Sequence, residues 1–158
     1  MSQTLTLIEQ NRLDWMTSHV NESPYPTPES VQGLAAYLNV SRPLDALTPL
    51  HRPELTLYEV DCHPLMIRYA RLLAQKWPEQ EQPLLIEFLT QLDKDPSGNA
   101  KLYLGYEGGA PVATAMRYVD ENHFVIADVH ANEQSHAQGL LAAILADNEG
   151  LDWLARED

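Results

Sequence analysis

Asp128 and His130 are the residues of this sequence whose types and spacing best suit proton transfer. They stand two apart in the apolar stretch HFVIADVHA, and alternate residues of a strand share a face. A carboxylate beside an imidazole can serve as a base and its orienter near neutral pH; the same spacing also describes a polar pair closing a strand. The stretch VHANEQSHAQGLLAAIL, residues 129–145, comes directly after: a polar loop, a lone glycine and an apolar run. One reading is a loop whose backbone N–H groups cradle phosphate at the start of a helix, with His136 as a cation beside it and Gly139 allowing close approach. The other needs no ligand, because Ser135 as N-cap and Gln138 at N3 would form a capping box.

The remaining candidates carry less. Cys62 is the only cysteine, so it forms no internal disulfide or thiolate cluster, and no partner is assigned to the Cys62-His63 pair as a nucleophile. His130 and His136 flank a loop without metal-ligand spacing, and no metal site is expected. Tyr103, Tyr106 and Tyr118 could line a cleft but suit strand packing. Glu107 reads as a turn residue, and Trp15 and Trp153 as packing anchors. Neither a nucleophile elbow, a Walker loop nor a dinucleotide fingerprint occurs.

The 158 residues suffice for one domain with a real core, and 44% hydrophobic residues read as globular. A net charge of -13 repels phosphate backbones and anionic lipid, which argues against nucleic acid and membrane partners. It suits a cationic substrate or partner, and equally a merely soluble surface. The apolar runs fall short of the ~20 residues that cross a membrane. The start MSQTLTLIEQNR lacks a basic n-region and a long apolar core, so no signal peptide is expected and the cytoplasm is the expected compartment.

These candidates must be positioned by a chain that divides near Pro53. In the N-terminal extension, 1–53, Leu5, Ile8, Trp15 and Val20 are loosely at helical spacing. A second helix opens with Thr27 as N-cap and Pro28 at N1. In 54–158, ELTLYEVDC alternates as a strand. HPLMIRYARLLAQKWP is a helix stopped by Pro78, and EQPLLIEFLTQLDKD is a second helix. KLYLGYEGGAPVATAMRYVD is two strands around Glu-Gly-Gly. HFVIADVHA is a central strand, and a helix runs from Leu140 towards Trp153. The expected class is α+β, a mostly antiparallel sheet flanked by helices.

This order, the hairpin LYLGYEGGAPVATAMRYV, the stretch VIADVHANEQSHAQGLLAAIL and the helix pair ending EFLTQL resemble the front half of the GNAT acyltransferase superfamily over 54–158. The resemblance implies a GNAT-like sheet and an acyl-CoA-dependent N-acetyltransferase acting on a small-molecule or protein amine. It implies that acetyl-CoA pyrophosphate meets the turn of His136, Ala137, Gln138, Gly139, Leu140 and Leu141. It further implies that Val129 and Ala131 offer backbone bonds to pantetheine in the gap between the fourth and fifth strands, with Asp128 and His130 as base groups.

The sequence departs from the family pattern at several points. His136 stands where Gln or Arg is usual. Leu141 stands where a second small residue belongs and would crowd a pyrophosphate. No Lys or Arg lies between Arg117 and Arg156. The family's fifth strand and its later elements are expected to be missing, as in a fragment or truncated product, unless the N-terminal segment, where LAAYLNVSRPLDALT faintly echoes the family's C-terminal part, fills the place. The alternative is therefore a non-catalytic GNAT-like module that binds a partner, or a homodimer formed through the open sheet edge.

Overall fold

The computed structural model describes residues 3–24, 26–40, 48–49 and 55–154. Residues 41–47 of the LAAYLNVSRPLDALT echo and the division at Pro53 lie outside the described residues. Two helices, α1 (Gln3–Asn21) and α2 (Pro28–Val40), precede β1 (Thr56–Glu59). Then come α3 (His63–Leu73), 3-10 turns at Ala74–Lys76 and Glu79–Glu81, and α4 (Gln82–Leu89). The strands β2 (Ala100–Glu107), β3 (Ala110–Asp120) and β4 (His123–Ala131) come next, then α5 (Gln134–Asp147) and β5 (Asp152–Trp153). The class is α+β, as the alternation of periods predicts.

The sheet has the order β1-β2-β3-β4-β5; β1 to β4 pair antiparallel and β5 runs parallel to β4. Gly108 and Gly109 both have positive φ (59° and 81°), as a two-residue hairpin turn with the twist of its strands requires. α5 covers one face, where Leu140, Leu141 and Ile144 meet Tyr103, Ala113, Ala115, Phe124 and Ile126. The other face carries Leu102, Leu104 and Met116 and is covered by α2, α3 and α4. Val125 on that side packs against Leu5 and Ile8 of α1, so α1 and α2 share the core of the later elements.

The α1 stripe of buried residues is Leu5, Ile8, Arg12, Met16 and Val20, a helical face that includes one cation. α2 meets α4 where Gly33 lies: a Cβ there would sit 2.7 Å from Phe88 Cβ and clash with the Leu84 carbonyl. At the start of α2, Thr27 caps as expected, its Oγ1 accepting from Ser30 N at 3.0 Å.

Three local expectations are corrected. The last helix starts at Gln134, not Leu140, and ends at Asp147. Its N-cap is Glu133, extended at φ -121° and without a side-chain capping bond, so Ser135 lies inside the helix and the capping box does not form. Gly150, at φ +93°, then turns the chain and places Trp153 on β5 rather than on the helix, so a short fifth strand forms beside β4.

Candidate functional site

The chemistry-bearing residues gather along the second half of β4. On β3, Thr114 pairs with His130 and Met116 with Ala127. Asp128 and Val129 thus face the single residue Ala115, which is a β-bulge. Asp128 has φ +58°, the conformation that the first residue of such a bulge usually meets with glycine. For an L-residue it costs about 1–2 kcal/mol, least for Asn and Asp. The surroundings hold it: Thr114 Oγ1 donates to the Asp128 carbonyl at 2.9 Å, and the Tyr37 hydroxyl donates to Asp128 Oδ2 at 2.7 Å.

Arg12 completes this anchor. Its Nη1 lies 3.6 Å from Asp128 Oδ2 and donates to the Tyr37 hydroxyl at 2.6 Å. Its Nε and Nη2 grip Glu9 of the same helix at 2.9 and 2.5 Å. The Arg12 side chain is wholly buried. Burial opposes its charge, but Tyr37, Glu9 and Asp128 together outweigh that and hold its pKa above the ordinary value. Leaving one partner of such a buried pair alone costs about 3–5 kcal/mol. Tyr69, from α3, points its buried hydroxyl at this cluster and has no hydrogen-bond partner among the described residues. Burial, then Asp128 and Tyr37, raise its pKa and keep it a neutral phenol.

Asp128 and His130 do lie on one side of β4, towards the α1–α4 layer, as the i, i+2 spacing predicts, but they have different partners. His130 is half-buried beside the 3-10 turn after α3, with Nε2 3.3 Å from Gln75 Oε1. Burial, then the Lys76 ammonium, lowers the His130 pKa, so the ring is neutral near pH 7. Lys76 Nζ donates to the Val129 carbonyl at 3.1 Å. Thus the fold delivers to β4 a cation that the sequence between Arg117 and Arg156 lacks.

The predicted pyrophosphate turn is not a turn. His136 N and Ala137 N both donate to the Glu133 carbonyl, and Gln138, Gly139, Leu140 and Leu141 lie further inside α5, where their N–H groups serve the helix. Leu140 and Leu141 are 0% and 1% exposed within the core, so the Leu141 side chain does not crowd the turn. A phosphate at this end of α5 would meet the N–H groups of Gln134 and Ser135 instead. It would also meet two carboxylates: His136 Nε2 lies 3.2 Å from Glu107 Oε2 and 3.6 Å from Glu133 Oε2. Glu107 is therefore more than a turn residue, since it ties the β2–β3 hairpin to the helix start. Val129 and Ala131 both pack partly against the α5 side of the sheet, and Ala131 is the last residue of β4.

Sequence reasoning missed Arg12, Tyr37 and Lys76. Arg12 was detectable in principle, because it stands four residues after Ile8 and four before Met16 on the buried stripe of α1. Lys76 carries no local signal. Cys62 is exposed at the N-cap of α3 and lines a cleft of about 240 Å³ with Asp61, His63 and Lys94. A larger cleft of about 710 Å³, between α1 and the β3–β4 turn, includes Leu7, Asp120 and His123 and lies at the opposite end of β4 from His130. Among the described residues no three His, Cys, Asp or Glu side chains form a metal-ligand group, and no helix is long and apolar enough to cross a membrane. No protein-family model, curated protein or solved structure matches the chain.

Proposed function

We propose that this chain is a GNAT-type domain that binds acyl-CoA and transfers acetyl to an amine. One observation carries the reading. β5 pairs with β4 only at His123–Asp152 and Phe124–Trp153, and β4 continues to Ala131 with no strand paired to it on that side among the described residues. Two parallel strands that part company in this way leave backbone donors and acceptors for an extended ligand arm, which is the place the resemblance implies for pantetheine. In this reading Val129 and Ala131 line the arm. Neutral His130 accepts the proton released as the amine nitrogen forms its bond to the acyl carbon and the thioester C–S bond breaks. Asp128 is an anchor of the bulge and not the base, because Tyr37 and Arg12 already hold it. The residues present do not fit a pyrophosphate cradle at 136–141, so the phosphates are placed outside that segment.

Titration calorimetry with acetyl-CoA tests the reading, with thermal shift as a second readout. Saturable heat and a rise in Tm are expected; neither at millimolar ligand overturns it. A second reading is favoured by Glu107 and Glu133, whose carboxylates stand where an anion would be received. It takes the domain as non-catalytic, with the uncovered stretch of β4 pairing with a second copy. Sedimentation of a strict monomer at high concentration would remove it.

A further inference from the structure

We propose that Arg12 is a positioning residue: through Tyr37 and Asp128, the N-terminal helices hold the β4 bulge in the conformation that presents Val129 and His130 to ligand. The bulge sits where β4 has already left β5, so no neighbouring strand on that side fixes its backbone among the described residues. Its first residue is an aspartate at φ +58°, where glycine would be relaxed. Strain of that kind persists only where the surroundings over-determine it. Here the restraint acts at both ends of the residue, with Thr114 on the carbonyl and the Tyr37–Arg12 pair on the carboxylate.

The side-chain half of the restraint comes from α1 and α2, 116 and 91 positions earlier in the chain. A glycine would form the bulge equally well but could not connect it to those helices. Asp128 gives up backbone ease for a mechanical link, so whatever shifts α1 shifts the backbone between Asp128 and His130. Tyr69, whose buried hydroxyl has no partner among the described residues, is the neighbour available to Asp128 when that link is cut.

The consequence for ligand rests on the acyl-CoA reading, whereas the link itself does not. The experiment compares the full chain with Arg12→Met, Arg12→Lys and Tyr37→Phe by hydrogen exchange over residues 125–131 and by acetyl-CoA titration. Arg12→Met is expected to raise exchange of the 128–130 amides at least tenfold while the β2–β3 hairpin stays as protected as in the parent, and to weaken acetyl-CoA at least tenfold. Arg12→Lys should recover part of both. A folded Arg12→Met whose 128–130 exchange stays within twofold of the parent overturns the proposal. If Arg12→Met does not fold, Tyr37→Phe decides: it removes the hydroxyl that joins Arg12 to Asp128, and unchanged 128–130 exchange in it also overturns the proposal. Parent protein that fails to bind acetyl-CoA sinks the acyl-CoA reading, and exchange still decides the link.

Discussion

The Tyr37 hydroxyl donates to Asp128 Oδ2 at 2.7 Å and accepts from Arg12 Nη1 at 2.6 Å, so one phenol joins both N-terminal helices to the strained bulge of β4. Tyr37→Phe removes that junction and leaves two buried charged groups short of a partner. Urea unfolding should show a loss of about 1–3 kcal/mol. Tyr69→Phe is the contrasting case, because it deletes a buried hydroxyl that no described residue bonds. It should leave stability unchanged or raise it by about 1 kcal/mol; a loss comparable to that of Tyr37→Phe would show that the Tyr69 hydroxyl is bonded in solution.

Gly33→Ala places a methyl group against the Leu84 carbonyl and 2.7 Å from Phe88 Cβ. Backbone cannot yield as a flexible side-chain end does, so α2 must move off α4. A loss of about 3 kcal/mol is expected in thermal or urea unfolding. A change within about 0.5 kcal/mol, the scale of a surface substitution, would mean that the two helices pack less closely.

His130 titrates below its ordinary value because burial, and then Lys76, disfavour the imidazolium. The unfolded chain therefore binds this proton at a higher pH than the folded one. Stability attributable to His130 is full above the unfolded pKa of about 6.5, falls as pH drops below it, and stops falling below the folded pKa. NMR titration of the ring should give a midpoint under 6.5, and Lys76→Met should raise it only in part, since burial is the larger cause. If the reading of His130 as base holds, acyl transfer should decline as pH falls through that midpoint.

Glu107 and Glu133 flank His136 at the start of α5. Replacing both by Gln removes two negative charges from the helix end that would receive phosphate, where the dipole already favours anions. Under the acyl-CoA reading the double variant should bind acetyl-CoA about three- to tenfold more tightly at low salt, with the gain shrinking at 0.5 M salt, where screening takes over. Unaltered affinity would place the phosphates away from α5.

Much of this architecture is legible one element at a time. The alternation in ELTLYEVDC and HFVIADVHA, the glycine pair at 108–109 and the stripe of HPLMIRYARLLAQKWP carry their structure locally, because periods of 2 and 3.6 put apolar residues on one side. The start of α5 is less legible: with Glu133 as cap, polar Gln134, Ser135 and His136 supply no apolar periodicity, so the helix reads as loop until Leu140. β5 is illegible, since two residues carry no period and their structure is made by pairing with His123 and Phe124.

The sequence by itself determined the α+β class, the acidic surface and the placement of Asp128 and His130 on one side of a central strand. Only the tertiary structure decided what those two residues can do. Packing brought Arg12 and Tyr37 onto Asp128, making it a buried anchor, and half-buried His130 beside Gln75 and Lys76, where burial first and then the Lys76 charge leave it neutral. The physical reason is that charge and hydrogen bonding at a site depend on distance in space, and these partners lie 54 to 116 positions away along the chain.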